Sequence, residues 1–279
     1  MNTRIIVDST MDLLDNFKSR VHIVPLTVHF GDAEYVDGVT IDHKTFYEKL
    51  IESDILPTTS QATPDAFAKE FEKAKEAGES VVVITLSSNF SGTYQSACIA
   101  AEDFENIYIV DSGSAAIGGG ILVELALELL DAGLTAREIA EKLEEAKKNI
   151  VIVALVDTLE YLKKGGRISK SVAFAGTLLN IKPVLSVIDG QINMLGKARG
   201  SKMGNNLLVQ EIEKAGGVDF EKPVLLGYSG ISDALLLKYI EDSRNLWDKG
   251  LEAVRYTTIG SVIGTHAGPG AVAVAFFKK

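Results

Sequence analysis

Three hydroxyl-rich loops follow three apolar runs of this chain, and together they offer the chemistry of anion binding. Asp8-Ser9-Thr10 follows residues 4–7. Ser87-Ser88-Asn89-Phe90-Ser91-Gly92-Thr93 follows residues 81–86. Asp111-Ser112-Gly113-Ser114 follows residues 107–110. In open α/β sheets ligands bind beyond the carboxyl ends of the strands, so these loops would line one edge with small donors. Ser91-Gly92-Thr93 also opens a helical stretch. The first N–H groups of a helix are free and its dipole is positive there, which suits a phosphate or carboxylate. Taken singly, each loop is equally an ordinary set of helix caps. Thr58-Thr59-Ser60-Gln61 lies between two helical stretches, and its hydroxyls could cap a helix or face the same edge.

His266 is the other candidate. It lies in Gly264-Thr265-His266-Ala267-Gly268-Pro269-Gly270, directly before the last apolar run. The glycines and proline read as a tight loop that presents one imidazole or simply packs it. Arg167 follows Gly165-Gly166, and a guanidinium presented by a glycine turn can orient a carboxylate or a histidine. His22, His29 and His43 do not cluster, and no metal-ligand spacing occurs, so no metal is expected. No nucleophile elbow, P-loop or dinucleotide-binding fingerprint is present. Cys98, the single cysteine, sits mid-helix among alanines, which suits a packed thiol.

The elements that must position these groups alternate through the first half. Strands are predicted over residues 4–7, 81–86, 107–110 and 150–154, and helices over about 64–78, 93–104 and 115–130. Residues 21–30 and 34–36 form a predicted hairpin excursion. Thr63 before Pro64 is a helix start, and Thr135 with Glu138 completes a capping box. Gly118-Gly119-Gly120 permits close packing or close approach of a ligand. Strand–helix alternation of this kind indicates an α/β domain with a parallel sheet. The second half changes character. Asp189-Gly190 between residues 184–188 and 191–195 predicts a type I′ hairpin. Further strands are expected at 224–228, 253–257 and 271–276, with helices near 201–215 and 232–249, which reads as α+β. The expected division is 1–160 and 161–279.

The 279 residues carry a net charge of −10, which disfavours nucleic-acid binding. That total hides an asymmetry. Residues 163–202 hold eight basic side chains against Asp189, a net of +7, so the remainder carries −17. The basic run is either a solvated face or a contact for phosphate, an acidic partner or anionic lipid headgroups. The longest apolar runs fall well short of the ~20 residues that span a membrane. The start MNTRIIVDST lacks a signal-peptide pattern, and the expected location is cytoplasmic. Hydrophobic residues nonetheless make up 46% of the chain. That surplus fills a core or lines something apolar.

The constellation resembles the DegV family. The resemblance is carried in order by Val7-Asp8-Ser9-Thr10, Thr59-Ser60-Gln61, Ser91-Gly92-Thr93-Tyr94-Gln95-Ser96-Ala97, Val110-Asp111-Ser112, Gly165-Gly166-Arg167-Ile168-Ser169 and residues 259–270. Ala62 stands where the family commonly has proline. The resemblance implies a two-domain fold related to dihydroxyacetone kinase, with a long-chain fatty acid held between the domains. It implies that Thr59 and Ser91 bind the carboxylate with the Gly92 N–H, and that His266 and Arg167 complete the network. Arg199 matches a surface position that handles a partner or the phosphorylated product. The implied role is that of a carrier rather than an enzyme. It would present the fatty acid to a separate ATP-dependent kinase subunit, giving acyl phosphate for phospholipid synthesis. The implied ligand is the fatty acid, with no catalytic residue or cofactor; the residues themselves lead us to expect no metal, a transient contact of the basic segment with an anionic membrane, and a monomer whose cavity the bound acid fills. Residues 115–122 and 173–179 are candidate lining. The alternatives are a stand-alone hydrolase or transferase using Ser91 and His266, and a lipid sensor without a kinase partner.

Overall fold

The computed structural model describes residues 2–168, 181–247 and 250–279. The chain opens with β1 (Thr3–Asp8), α1 (Asp15–Lys18), β2 (His22–Val24), β3 (Thr27–Phe30), β4 (Ala33–Val36), α2 (His43–Glu52) and β5 (Thr58–Ser60). It continues through α3 (Pro64–Glu76), β6 (Ser80–Thr85), α4 (Thr93–Ala101), β7 (Ile107–Asp111), α5 (Ala116–Asp131) and α6 (Ala136–Ala146). Next come β8 (Ile150–Leu155), α7 (Glu160–Lys164), β9 (Ile181–Ile188), β10 (Gln191–Arg199) and α8 (Gly200–Lys214). The last elements are β11 (Leu225–Tyr228), α9 (Ala234–Asp242), β12 (Tyr256–Thr258), α10 (Ser261–Ala267) and β13 (Val272–Phe277).

The first sheet has the order β2-β1-β6-β7 and is parallel throughout. Its central strands are apolar on both faces, as a sheet covered on both sides requires. The helix starts are those written in the sequence. Thr63 accepts from Ala66 N at 3.2 Å ahead of Pro64, and Thr135 and Glu138 form the capping box. The predicted strand over 21–30 is interrupted at Pro25, which lacks a backbone donor. Before it, β2 joins the first sheet. After it, β3 pairs with β4 and β5 in a separate three-stranded antiparallel sheet. Residues 58–60 are therefore a strand, not a connection between helices.

The second sheet has the order β10-β9-β8-β13-β11-β12. Its pairs are antiparallel except β11 with β12, the mixed pattern expected of the second half. Asp189 at φ 51° and Gly190 at φ 69° give the two left-handed positions of a type I′ turn. Residues 150–155 correct the grouping made from alternation alone. They form an inner strand of the second sheet, between β9 and β13, because a continuous apolar run does not say which sheet it joins. Two predicted elements are also shorter. The strand at 253–257 is a 3-10 turn at Leu251–Ala253 followed by β12, and the helix at 232–249 is α9, which ends at Asp242.

Helix α5 lies between the two sheets. Leu122, Val123, Ala126 and Leu127 pack with β1 and β6, whereas Ile117 and Ile121 pack with β8 and β13. A helix apolar on all sides is one buried on all sides. Gly120 permits that position, since a Cβ there would lie 2.2 Å from the Asp12 carbonyl oxygen. Helices α8 and α9 cover the opposite face of the second sheet through Leu208, Ile212, Leu236 and Tyr239.

Candidate functional site

The second sheet, β5, the starts of α4 and α5, α7 and α10 line a cavity of about 440 Å³. Its body is apolar, built from residues such as Leu26, Ile117, Ile152, Val156, Leu185 and Val262. Alanines at 115, 116, 154, 267, 271 and 273 keep the space open. Apart from Ser186 of β9, the polar lining groups are Thr59, Ser60, Gln61, Ser91, Gly92, Arg167 and His266. A pocket of a few hundred Å³ with apolar walls and a few placed polar groups is the usual form of a small-molecule site.

The polar groups are positioned by several elements. Thr59 is the middle residue of β5, paired with Val28 of β3. His266 belongs to the last turn of α10, which corrects the tight loop predicted there. Gly264 lies inside the helix because a Cβ would strike Phe46 and Tyr47, and Gly268, at φ 71°, ends it. The strand and the helix meet at the Thr59 hydroxyl, 3.0 Å from His266 Nε2. Ser91 and Gly92 lead into α4. The Ser91 hydroxyl accepts from Thr93 N at 3.2 Å and lies 2.9 Å from the Thr93 hydroxyl. Gln61 crosses from β5 to α4, donating to Gly92 O at 3.3 Å and to the Ser96 hydroxyl at 2.8 Å. Arg167 is exposed, and donates to Gly165 O at 2.6 Å and to Phe90 O at 3.3 Å.

The electrostatics separate a neutral interior from a cationic edge. Burial, with the Arg167 guanidinium nearby, pushes the His266 imidazole down to about 4, so the ring is neutral at neutral pH. Its Nδ1 is buried with no hydrogen-bond partner among the described residues. An orphaned buried N–H is rarer than an orphaned acceptor, so we assign the ring proton to Nε2. Nε2 then donates to Thr59, and the Thr59 O–H is free to donate to a ligand oxygen. The arrangement can hold an anionic head with neutral hydroxyl donors beside a guanidinium, and bury an apolar tail behind it.

The structure brings Thr59, Ser91, Gly92, His266 and Arg167 to one cavity. Arg199 ends β10 on the surface and does not line it. Of the lining candidates at 115–122, residues 115–117 face the cavity; those at 173–179 lie outside the described residues. The basic run is partly paired internally, with Lys164 2.7 Å from Glu160 and Lys182 2.8 Å from Asp157. Sequence reasoning missed α10 as the carrier of His266, although Gly260-Ser261 followed by apolar residues is a helix-start signal. It also missed the walls given by Leu162, Leu185 and Ile192, whose types do not differ from plain core. Among the described residues no group of His, Cys, Asp and Glu is arranged to hold a metal, and no helix is long and apolar enough to cross a membrane.

The fold has close parallels. A DegV domain-containing protein of Caldanaerobacter subterraneus is 34% identical over 282 residues, covering 99% of this chain and 98% of its own. A DegV family protein of Thermus thermophilus, described for its fatty acid binding, superposes with a TM-score of 0.88 at 31% identity, covering 99% of this chain and all of its own. A stearic acid-binding protein of Eubacterium ventriosum superposes with a TM-score of 0.88 at 29% identity, over 100% of this chain and 99% of its own. The family model "Uncharacterised protein, DegV family" matches residues 2–279, and this chain belongs to the DegV family.

Proposed function

We propose that this protein binds a long-chain fatty acid, tail in the apolar cavity and carboxylate against Thr59, Ser91 and the Gly92 N–H. The observation that carries this reading is the cavity's division into an apolar body and one polar end closed by the Thr59–His266 contact. An acyl chain of about sixteen carbons brings roughly 12 kcal/mol of gross transfer free energy at ~0.8 kcal/mol per buried CH₂. The head needs little more than orientation and neutralisation, which two hydroxyls and the exposed Arg167 supply. The Thermus and Eubacterium relatives, described as fatty acid-binding, support the same ligand class.

The protein then acts as a carrier, in the cytoplasm. It offers the carboxylate at the Arg167 edge to a separate ATP-dependent kinase subunit, and the acyl phosphate passes to phospholipid synthesis. Arg199 is the surface cation assigned to the partner or to the phosphorylated product. Stand-alone catalysis by Ser91 and His266 is less favoured, because His266 Nε2 pairs with Thr59 while the Ser91 hydroxyl pairs with Thr93.

Solvent extraction and mass spectrometry of the purified protein test the first step. A co-purifying fatty acid, or uptake of added oleate, is expected; the absence of both overturns the reading. Loaded protein given ATP alone should form no acyl phosphate, and addition of the kinase subunit should produce it. Acyl phosphate from ATP alone would make the protein an enzyme, and none with the kinase would make it a sensor.

A further inference from the structure

Helix α10 carries His266 but has no side-chain cap of its own; its N-cap residue is Gly260. The turn that starts it is held from outside. Asp12, 4% exposed in the loop after β1, accepts from Gly260 N at 2.9 Å through Oδ1. Tyr47, fully buried in α2, donates its hydroxyl to Ile259 O at 2.9 Å. Consecutive residues are thus gripped by two segments more than 200 positions away in sequence. Neither Asp12 nor Tyr47 lines the cavity, whereas Ile259, Val262, Ile263 and His266 all do.

We propose that Asp12 and Tyr47 are positioning residues for the carboxylate-binding end: they clamp the Ile259–Gly260 turn and, through α10, hold His266 against Thr59. The inference rests on the fatty-acid reading of the cavity given above.

Three observations support it. The approach is too close for a side chain at 260, where a Cβ would lie 3.0 Å from Asp12 Oδ1 and 3.2 Å from His43 Nε2. Tyr47 touches the helix a second time, since its hydroxyl would be 2.5 Å from a Cβ at Gly264. Finally, the clamp is costly. Asp12 Oδ2 is buried with no hydrogen-bond partner among the described residues, and burial, with Asp37 and Asp8 nearby, outweighs the Gly260 hydrogen bond and Lys18 and pushes the carboxyl up. Oδ1 accepts the Gly260 N–H in either protonation state. A helix of two turns is stiff, so movement of its first residue displaces the imidazole in its last turn.

The test compares Asp12→Ala, Asp12→Asn and Tyr47→Phe with the wild type. Three quantities are read: oleate affinity, the melting temperature, and the imidazole NMR signals and titration of His266 in ligand-free protein, assigned by their loss in His266→Gln. Asp12→Ala should weaken oleate binding about fivefold or more and raise the His266 titration toward the ordinary imidazole value. Asp12→Asn keeps an oxygen acceptor and should restore both to within about twofold of wild type. Tyr47→Phe should move the His266 signals in the same sense as Asp12→Ala, and it carries the test if Asp12→Ala does not fold. Leu208→Ala, on the buried face of α8, should lower the melting temperature without touching α10 and leave the His266 signals in place. Wild-type His266 signals in both Asp12→Ala and Tyr47→Phe overturn the proposal, as does an equal response in Leu208→Ala. If the wild type takes up no oleate, the fatty-acid reading falls and the His266 signals alone decide the clamp.

Discussion

The Thr59 hydroxyl and His266 Nε2 lie 3.0 Å apart across 207 positions of sequence. The contact joins the small antiparallel sheet to α10, so the polar end of the cavity exists only when both have docked. With the ring neutral and its proton assigned to Nε2, the bond leaves the Thr59 O–H free to donate.

That direction of donation predicts the effect of removing either hydroxyl. Thr59→Val keeps the volume and loses the donor, and Ser91→Ala loses the second donor with part of the α4 start. Each should weaken fatty-acid binding about tenfold, the usual scale for one hydrogen bond to a charged group. Displacement of a fluorescent fatty acid measures this. Wild-type affinity in the double variant would refute the assigned head site.

Gly165→Ala should act on the same contact from behind. A Cβ at 165 would lie 2.1 Å from His266 Nδ1 and 3.1 Å from the Tyr161 carbonyl oxygen, so the imidazole must leave Thr59. Binding should fall about as much as in Thr59→Val, and the two losses should not add. A double-mutant cycle in oleate affinity checks this, and strict additivity would show that Gly165 acts elsewhere.

The pH dependence of stability has a defined sign. His266 titrates in the fold near 4 against 6.5 for a free imidazole. Below pH 6.5 the unfolded chain takes up a proton that the fold refuses, so stability drops until about pH 4. The loss approaches roughly 3 kcal/mol, since the proton-affinity gap between the two states is worth about 1.36 kcal/mol for every tenfold difference. Asp8 works the other way. Burial pushes its carboxyl up to about 6, so its cost is relieved as pH falls from 6 toward 4. The informative quantity is the stability of the wild type minus that of His266→Gln, from urea denaturation at several pH values. It should fall with acid; a flat difference would contradict the neutral buried ring.

One ion pair ties α5 to the approach of β12. Glu124, 7% exposed, meets Arg255 at 2.6 Å, and Arg255 also donates to Val224 O at 3.2 Å. Arg255→Leu leaves a carboxylate buried without its partner. It should cost about 2 kcal/mol, less than a fully buried pair because Arg255 is partly exposed. Chemical denaturation reads this, and the fatty-acid site should be unaffected when the protein is folded.

Much of this molecule is legible in its amino acids. The apolar strand runs, the capped helices and the Asp189-Gly190 turn are local preferences, and each forms where those preferences place it. The hydroxyl loops at strand ends, Arg167 behind two glycines and His266 near the C-terminus are local chemistry of the same kind. Other features are settled by partners distant in sequence. Residues 150–155 carry one apolar pattern that either sheet could accept, and pairing with β9 and β13 decides the matter. The glycines around His266 read as a loop until Phe46 and Tyr47 pack against Gly264 and make the segment a helix. The amino-acid sequence determined which groups could bind a carboxylate. Only tertiary packing decided that they meet at the end of an apolar cavity, because burial and hydrogen bonding between remote segments, rather than local propensity, place β5, α4 and α10 around it.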